Sequence, residues 1–231
     1  MYNVSTHNLT IGYGNKVVQH DLSFALQKGE LVCMLGRNGC GKSTLLRTLA
    51  GLQPALSGTY DIADTAVVLT DRLTLENTSV REVVAMGRYP YTSFLGTLTP
   101  EDNRIIDESM KIVSIFHFQF SLFNSLSDGE KQRVLIAKAL AQQTPVILLD
   151  EPTAHLDLPN RILVLQLLHR LAHEQGKTIL ISTHELELAL KLSDRILLLS
   201  DSGAELDSAD SLKQRDAFTQ AFGMNIFDPA I

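Results

Sequence analysis

Residues 36–44 read Gly36-Arg37-Asn38-Gly39-Cys40-Gly41-Lys42-Ser43-Thr44. The pattern is glycine, four residues, glycine, lysine, serine. It follows an apolar run, Glu30 to Leu35, that has the length and composition of a buried strand. It precedes Leu45, Leu46 and Leu49, which share one helical face, and Gly51, a residue suited to end that helix. A glycine-rich turn between strand and helix lets backbone N–H groups face inward. The helix N-terminus adds its positive dipole end, so the segment is built to hold phosphate.

The spacing is that of a P-loop, the binding element for nucleoside triphosphates. Lys42 is expected at the β- and γ-phosphates, and the Ser43 hydroxyl at Mg²⁺. Gly36, Asn38, Gly39, Cys40, Gly41, Lys42, Ser43 and Thr44 are the candidate nucleotide contacts. A second chemical element lies about a hundred residues on. The run Val146 to Leu149 ends in Asp150 and Glu151, at the sheet edge where α/β proteins bind ligands. Asp150 is placed to organise Mg²⁺, and Glu151 to orient or deprotonate a water.

The chain has 231 residues and a formal net charge of −6, with 45% hydrophobic and 20% charged residues. These values fit one large domain with an ample core. The acidic balance argues against general nucleic-acid binding. The first residues lack a basic stretch followed by an apolar run, so no signal peptide is expected. No segment reaches the roughly 18 apolar residues of a membrane span. Two cysteines, Cys33 and Cys40, offer no disulfide framework and point to a reducing compartment.

Strands are expected at Val4 to Ile11, Val17 to Leu26, Glu30 to Leu35 and Val67 to Leu69. Helical patterns then dominate: Val80 to Met86, Asp102 to Phe118 and Gly129 to Gln142. Strand and helix next alternate, at Val146 to Leu149, Arg161 to Gln175, Thr178 to Ser182, Leu186 to Ser193 and Ile196 to Leu199. Such alternation implies a parallel sheet with crossover helices. Ser208 to Phe222 reads as one last helix. The division expected is a nucleotide-binding core over 1–75 and 144–205, a helical subdomain over 76–143, and a tail over 206–231.

Leu126-Ser127-Asp128-Gly129-Glu130-Lys131-Gln132-Arg133 opens a helix that Ser127 can cap. This stretch resembles the LSGGQ signature of ABC-type ATPases. Glu151-Pro152-Thr153 and Ala154-His155-Leu156-Asp157 resemble the segment after the second carboxylate motif and the D-loop of that family. Ser182-Thr183-His184 resembles the segment bearing its switch histidine, and Tyr13 matches the aromatic residue that stacks on adenine. The motifs run in the family's order and span nearly the whole chain.

The resemblance implies an α/β P-loop NTPase (RecA-like) core with an antiparallel β-subdomain and an inserted α-helical subdomain. It implies ATP and Mg²⁺ as ligands, with Glu151, His184 and Lys42 catalytic and Asp157 at the nucleotide. It also implies a head-to-tail homodimer, in which Ser127 and Gly129 meet the γ-phosphate bound by the other copy. Met86-Gly87-Arg88-Tyr89-Pro90-Tyr91 is similar to a stretch in importer ATPases for iron–siderophore, haem and vitamin B12. That implies permease subunits, an indirect substrate-binding protein outside the membrane, and a peripheral place at its cytoplasmic face. An exporter ATPase, a soluble non-transport ABC ATPase and a P-loop kinase are the alternatives.

Three departures from the family pattern stand out. The Q-loop glutamine is missing, and Thr70 takes its position as a candidate metal contact. Asp128 and Glu130 replace a glycine and a glutamine of the signature, and both carboxylates are expected to point away from phosphate. The segment from Gly58 to Thr70 is short, so a trimmed β-subdomain is expected. Cys40, beside a helix N-terminus, raises the option of an oxidation switch, with a small space-filling role favoured over it.

Overall fold

The computed structural model describes residues 2–69, 75–94, 96–225 and 227. Two sheets organise them. A three-stranded antiparallel sheet has the order β2-β1-β4, with β1 at Tyr2–Tyr13, β2 at Lys16–Gln27 and β4 at Ser57–Ile62. A six-stranded sheet has the order β5-β6-β7-β3-β8-β9. Its members are β3 (Leu31–Leu35), β5 (Thr65–Val68), β6 (Val146–Asp150), β7 (Thr178–Ser182), β8 (Arg195–Ser200) and β9 (Gly203–Asp207). The first five pair in parallel, and β9 closes the edge antiparallel to β8.

The central positions of the parallel strands are apolar because both faces are covered, with polar residues at the strand ends. Side-chain alternation assigns the faces. Val32, Met34, Val146, Leu148, Leu180, Leu197 and Leu199 pack with the antiparallel sheet and with α1 (Lys42–Leu49). Leu31, Cys33, Leu35, Ile147, Leu149, Ile179, Ile181, Ile196 and Leu198 pack on the opposite side, against the remaining helices. Leu148 and Ile147 are fully buried, so truncating either to alanine costs about 2–5 kcal/mol.

Between β5 and β6 the chain leaves the sheet and forms α2 (Val80–Ala85), α3 (Pro100–Ile112) and α4 (Asp128–Ala141). Each opens with a capping box: Ser79 with Glu82, Thr99 with Asp102, Ser127 with Glu130. Met86–Tyr91 is a 3-10 turn. Its Arg88 is buried, not exposed as an ordinary turn residue would be, and reaches Asp102 at 2.8 Å and the carbonyl oxygen of Ala141 at 2.8 Å. That single side chain joins the start of α3 to the end of α4.

After β6 follow α5 (Leu158–Gln175), α6 (Leu186–Leu192), α7 (Ala209–Gln214) and α8 (Ala217–Phe222). Several expected boundaries differ. The helix expected to run to Phe118 ends at Ile112, because Ser114 turns left-handed (φ 59°) and a short 3-10 turn takes over at Phe116–Phe118. The single C-terminal helix is two, broken at Asp216 (φ 54°), so that Leu212 and Phe218 can both be buried. Strands β4 and β9 were not expected; β4 is largely exposed, β9 is mostly half-buried, and neither carries strong alternation. Only Ala63 and Asp64 join β4 to β5, which leaves the antiparallel sheet at three strands. Among the described residues, no helix is long and apolar enough to cross a membrane. Thr70, the expected metal contact, falls outside the described residues.

Candidate functional site

The C-terminal ends of β3, β6 and β7 deliver the chemistry to one edge of the sheet. From β3 comes the glycine loop, then α1. Gly41 is the N-cap of α1, in the left-handed region at φ 103°, and no side chain caps the helix end. A Cβ at Gly41 would lie 2.8 Å from Val18 Cγ1, so the loop admits only glycine there. Lys42 Nζ donates back to the carbonyl oxygens of Gly36 (2.9 Å) and Arg37 (3.1 Å), folding the amine over the loop. Gln19 Nε2 fixes the loop from β2 by donating to the carbonyl of Cys40 and to that of Ser200, both at 2.9 Å.

From β6 comes Asp150, buried, whose Oδ1 accepts from the Ser43 hydroxyl at 3.0 Å and the Ser182 hydroxyl at 2.6 Å. Three oxygens thus converge at the end of β6. Glu151 follows in a left-handed conformation, φ 46°. For a residue other than glycine this backbone is strained, and such strain gathers at functional sites. Its N–H donates to Ser182 Oγ at 2.9 Å, which holds the turn. The result is a Glu151 carboxylate 2.8 Å from His184 Nε2, carried by the loop after β7.

These elements enclose an open cleft of about 620 Å³ lined by Tyr13, Lys16, Val18, Asn38, Gly39, Gly41, Lys42, Ser43, Thr44, Glu151 and His184. Tyr13 stands half exposed at its rim, with its hydroxyl 3.2 Å from Thr44 Oγ1. Of the residues singled out in the sequence, Gly36, Cys40 and Asp150 support this cleft from behind. Ser127, Gly129 and Asp157 do not line it. Gln19, Lys16 and Val18 belong to the arrangement without a motif to mark them, and Ser182 was not singled out. They arrive through strand pairing, and only Ser182 sat inside a recognisable triplet.

Cys40 is half-buried, and burial raises its thiol above the ordinary range despite the neighbouring Lys42. The loop therefore does not generate a reactive thiolate. Cys33, wholly buried in β3, is pushed up to about 12 by the same cause.

Ser127 and Gly129 stand at the start of α4. Ser127 caps the helix, and its hydroxyl lies 2.7 Å from Glu130 Oε2. The same carboxylate oxygen accepts from the Ser127 N–H at 2.8 Å. These hydrogen bonds hold the Glu130 carboxyl below the usual range. Glu130 is thereby held at its own helix end by the capping box. Asp128 does face solvent, with Lys131 3.9 Å away. The reason was legible in the sequence: Ser127-x-x-Glu130 is a capping box. Gly129 abuts Asn160, where an added Cβ would stand 2.7 Å from the amide carbon. Asn160 in turn donates to Asp157 Oδ1 at 2.7 Å, and Asp157 caps α5. The start of α4 and the start of α5 thus interlock.

A family model described as ABC transporter matches residues 19–154. The iron(3+)-hydroxamate import ATP-binding protein of Bacillus subtilis is 37% identical over 235 residues, covering 93% of this chain and 87% of the relative. A solved structure described as a metal-chelate type ABC transporter in an inward-facing conformation superposes with TM-score 0.90 at 31% identity, covering 96% of this chain and 90% of the other. A dimeric ATP-binding cassette in a post-hydrolysis state, bound to ADP and Pi, matches with TM-score 0.75 at 26% identity, over 89% of this chain and 98% of that one.

Proposed function

The chain belongs to the ABC transporter family and is an ATPase subunit of that kind; on this premise we propose that it powers import of a metal chelate through a partner permease. The chelate class is that of iron–siderophore, haem or cobalamin. The similarity to a hydroxamate importer over 93% of the chain carries the substrate class. The Gly87–Tyr91 turn, with Tyr89 and Tyr91 exposed beside the buried Arg88, supports it. The subunit would sit peripherally on the cytoplasmic face, with a substrate-binding protein acting on the far side of the permease. The helical insertion, 76–143, would be the part that meets the permease.

The observation that carries the chemistry is the convergence of Lys42, Ser43, Asp150, Glu151 and His184 on one cleft edge. Loop N–H groups and the uncapped α1 terminus suit the phosphates of ATP. Lys42 leaves two carbonyl oxygens to take phosphate oxygens instead. Ser43 and Asp150 offer oxygen donors side by side, a set that fits a hard divalent ion such as Mg²⁺. Such an ion neutralises β- and γ-phosphate charge when bound. Glu151 orients and deprotonates the attacking water. His184 holds that carboxylate now, at 2.8 Å, and lines the same cleft, where its ring would contact a γ-phosphate. Tyr13 stacks on the base from the rim.

Ser127, Gly129 and Asp157 do not line their own cleft and would complete the cleft of a second copy. The related cassette bound to ADP and Pi as a dimer supports that arrangement. Thr70 keeps its proposed role as a metal contact in place of glutamine.

Uptake assays in cells lacking this gene test the substrate class. Loss of ferric-hydroxamate, haem or cobalamin uptake, restored by the wild-type chain and not by Lys42→Ala, is the expected result. Normal uptake of all three would overturn the chelate reading and leave the ATPase reading intact.

A further inference from the structure

At the opposite edge of the parallel sheet lies a cluster that the ATPase chemistry does not use. His169 and His173 are four residues apart on α5, so they share a face. Their rings stack at 4.1 Å between centroids. Asp194, in the turn before β8, brings Oδ1 to 3.1 Å from His173 Nε2. One ligand atom from each of the three residues lies within 4.8 Å of the other two.

We propose that His169, His173 and Asp194 form a binding site for a divalent transition cation of the Zn²⁺ type, separate from the nucleotide cleft. Two imidazoles and one carboxylate are a donor set that suits such borderline ions and not Mg²⁺. The groups behind the ligands are already in place. His173 Nδ1 lies 2.9 Å from the His169 carbonyl oxygen, to which it can only donate. That bond fixes the tautomer and leaves Nε2 as the ligating atom, the usual arrangement of a metal-bound histidine. Asp194 Oδ2 accepts from the Leu31 N–H at 2.8 Å, which orients the carboxylate and leaves Oδ1 for the ion.

The dimensions agree. Bonds of about 2.0–2.1 Å at near-tetrahedral angles place neighbouring ligand atoms about 3.4 Å apart. The His173–Asp194 separation of 3.1 Å is already of that size. His169 is only partly buried, so rotation of its side chain closes the remaining gap at little cost. Without metal, His173 can bridge to Asp194 through Nε2 only when its ring is doubly protonated. The ion would take the place of any such proton, which goes to solvent, and a water would complete the coordination. The simpler role, a His–Asp pair tying the end of α5 to the sheet edge, needs only His173 and Asp194. His169 separates the two, since its ring stacks on His173 but takes no part in the His173–Asp194 contact.

The test is calorimetric titration of the full-length, nucleotide-free chain with ZnCl₂ in Mg²⁺-free buffer, with imidazole NMR signals followed in parallel. One zinc per chain is expected, shifting the His169 and His173 signals and not that of His184. His169→Gln and His173→Gln should each weaken binding by more than about 100-fold, with thermal stability without zinc unchanged in His169→Gln. His184→Gln should bind zinc as wild type does. Absence of saturable binding below millimolar zinc would overturn the proposal. So would zinc that moves only the His184 signal, or full affinity in His169→Gln.

Discussion

Two helix N-termini in this molecule are assigned the same task, contact with phosphate, and they are built in opposite ways. The start of α1 is a glycine with no side-chain cap and no acidic residue in the first turn. The start of α4 is closed by its own residues, Ser127 and Glu130, in a reciprocal capping box with a carboxylate against the helix end. An uncapped terminus keeps its N–H groups and dipole available for an anion that comes from outside. A capped one is stable alone and must give up part of its cap to meet that anion. The difference suits a site that binds ATP first, within one subunit, and recruits the second terminus only when a partner closes on it.

The largest effect should come from the open terminus. Lys42→Ala removes the ammonium folded over the loop, and ATPase turnover should fall at least ~100-fold in a steady-state assay. Retention of most of the turnover would remove α1 from the comparison. Gly41→Ala comes next. Its Cβ meets Val18 at 2.8 Å in a left-handed backbone. Thermal unfolding should show a loss of about 1–3 kcal/mol, together with weakened ATP binding.

At the closed terminus, Ser127→Ala should cost about 1 kcal/mol of stability through the lost cap, while ATP binding to the single subunit stays at the wild-type level. Glu130→Gln keeps the hydrogen-bonding shape and removes the charge. ATP-driven pairing should strengthen by about 2–5-fold, the scale of one charge at a helix end, as read by sedimentation. Unchanged or weaker pairing would show that the carboxylate does not oppose the incoming phosphate.

The same device at α3 gives the mildest test. Hydrogen bonds from the Thr99 hydroxyl and N–H, then from Arg88, lower Asp102 to about 2 from its ordinary 3.8. A depressed carboxyl stabilises the fold above the unfolded pKa, and that contribution is lost as pH falls through the folded value. Acid titration by circular dichroism should therefore show its loss between about pH 4 and pH 2, and Asp102→Asn should flatten that part of the curve.

Much of this architecture was legible from local sequence. The glycine loop, the apolar strands and the two carboxylates after Leu149 are each read within a few residues. So is the insertion of helices between Val68 and Val146. What local sequence hid came from pairing at a distance. Gln19 reaches the loop only because β2 folds across it. Strands β4 and β9 lack a buried face strong enough to show in the pattern. Arg88 reads as a surface turn residue until α3 and α4 close over it. Glu130 is the local counterpart: Ser127-x-x-Glu130 is itself the pattern of the capping box that the structure shows.

The central claim is that a cleft filled by ATP is completed by the signature terminus of a second copy. The most direct measurement is the solution mass of Glu151→Gln, by size exclusion with light scattering, with and without MgATP. The account predicts a monomer alone, a dimer with MgATP, and no shift when Ser127→Arg is added. A protein that binds ATP yet keeps a monomer's mass, or a dimer that Ser127→Arg leaves intact, would contradict it.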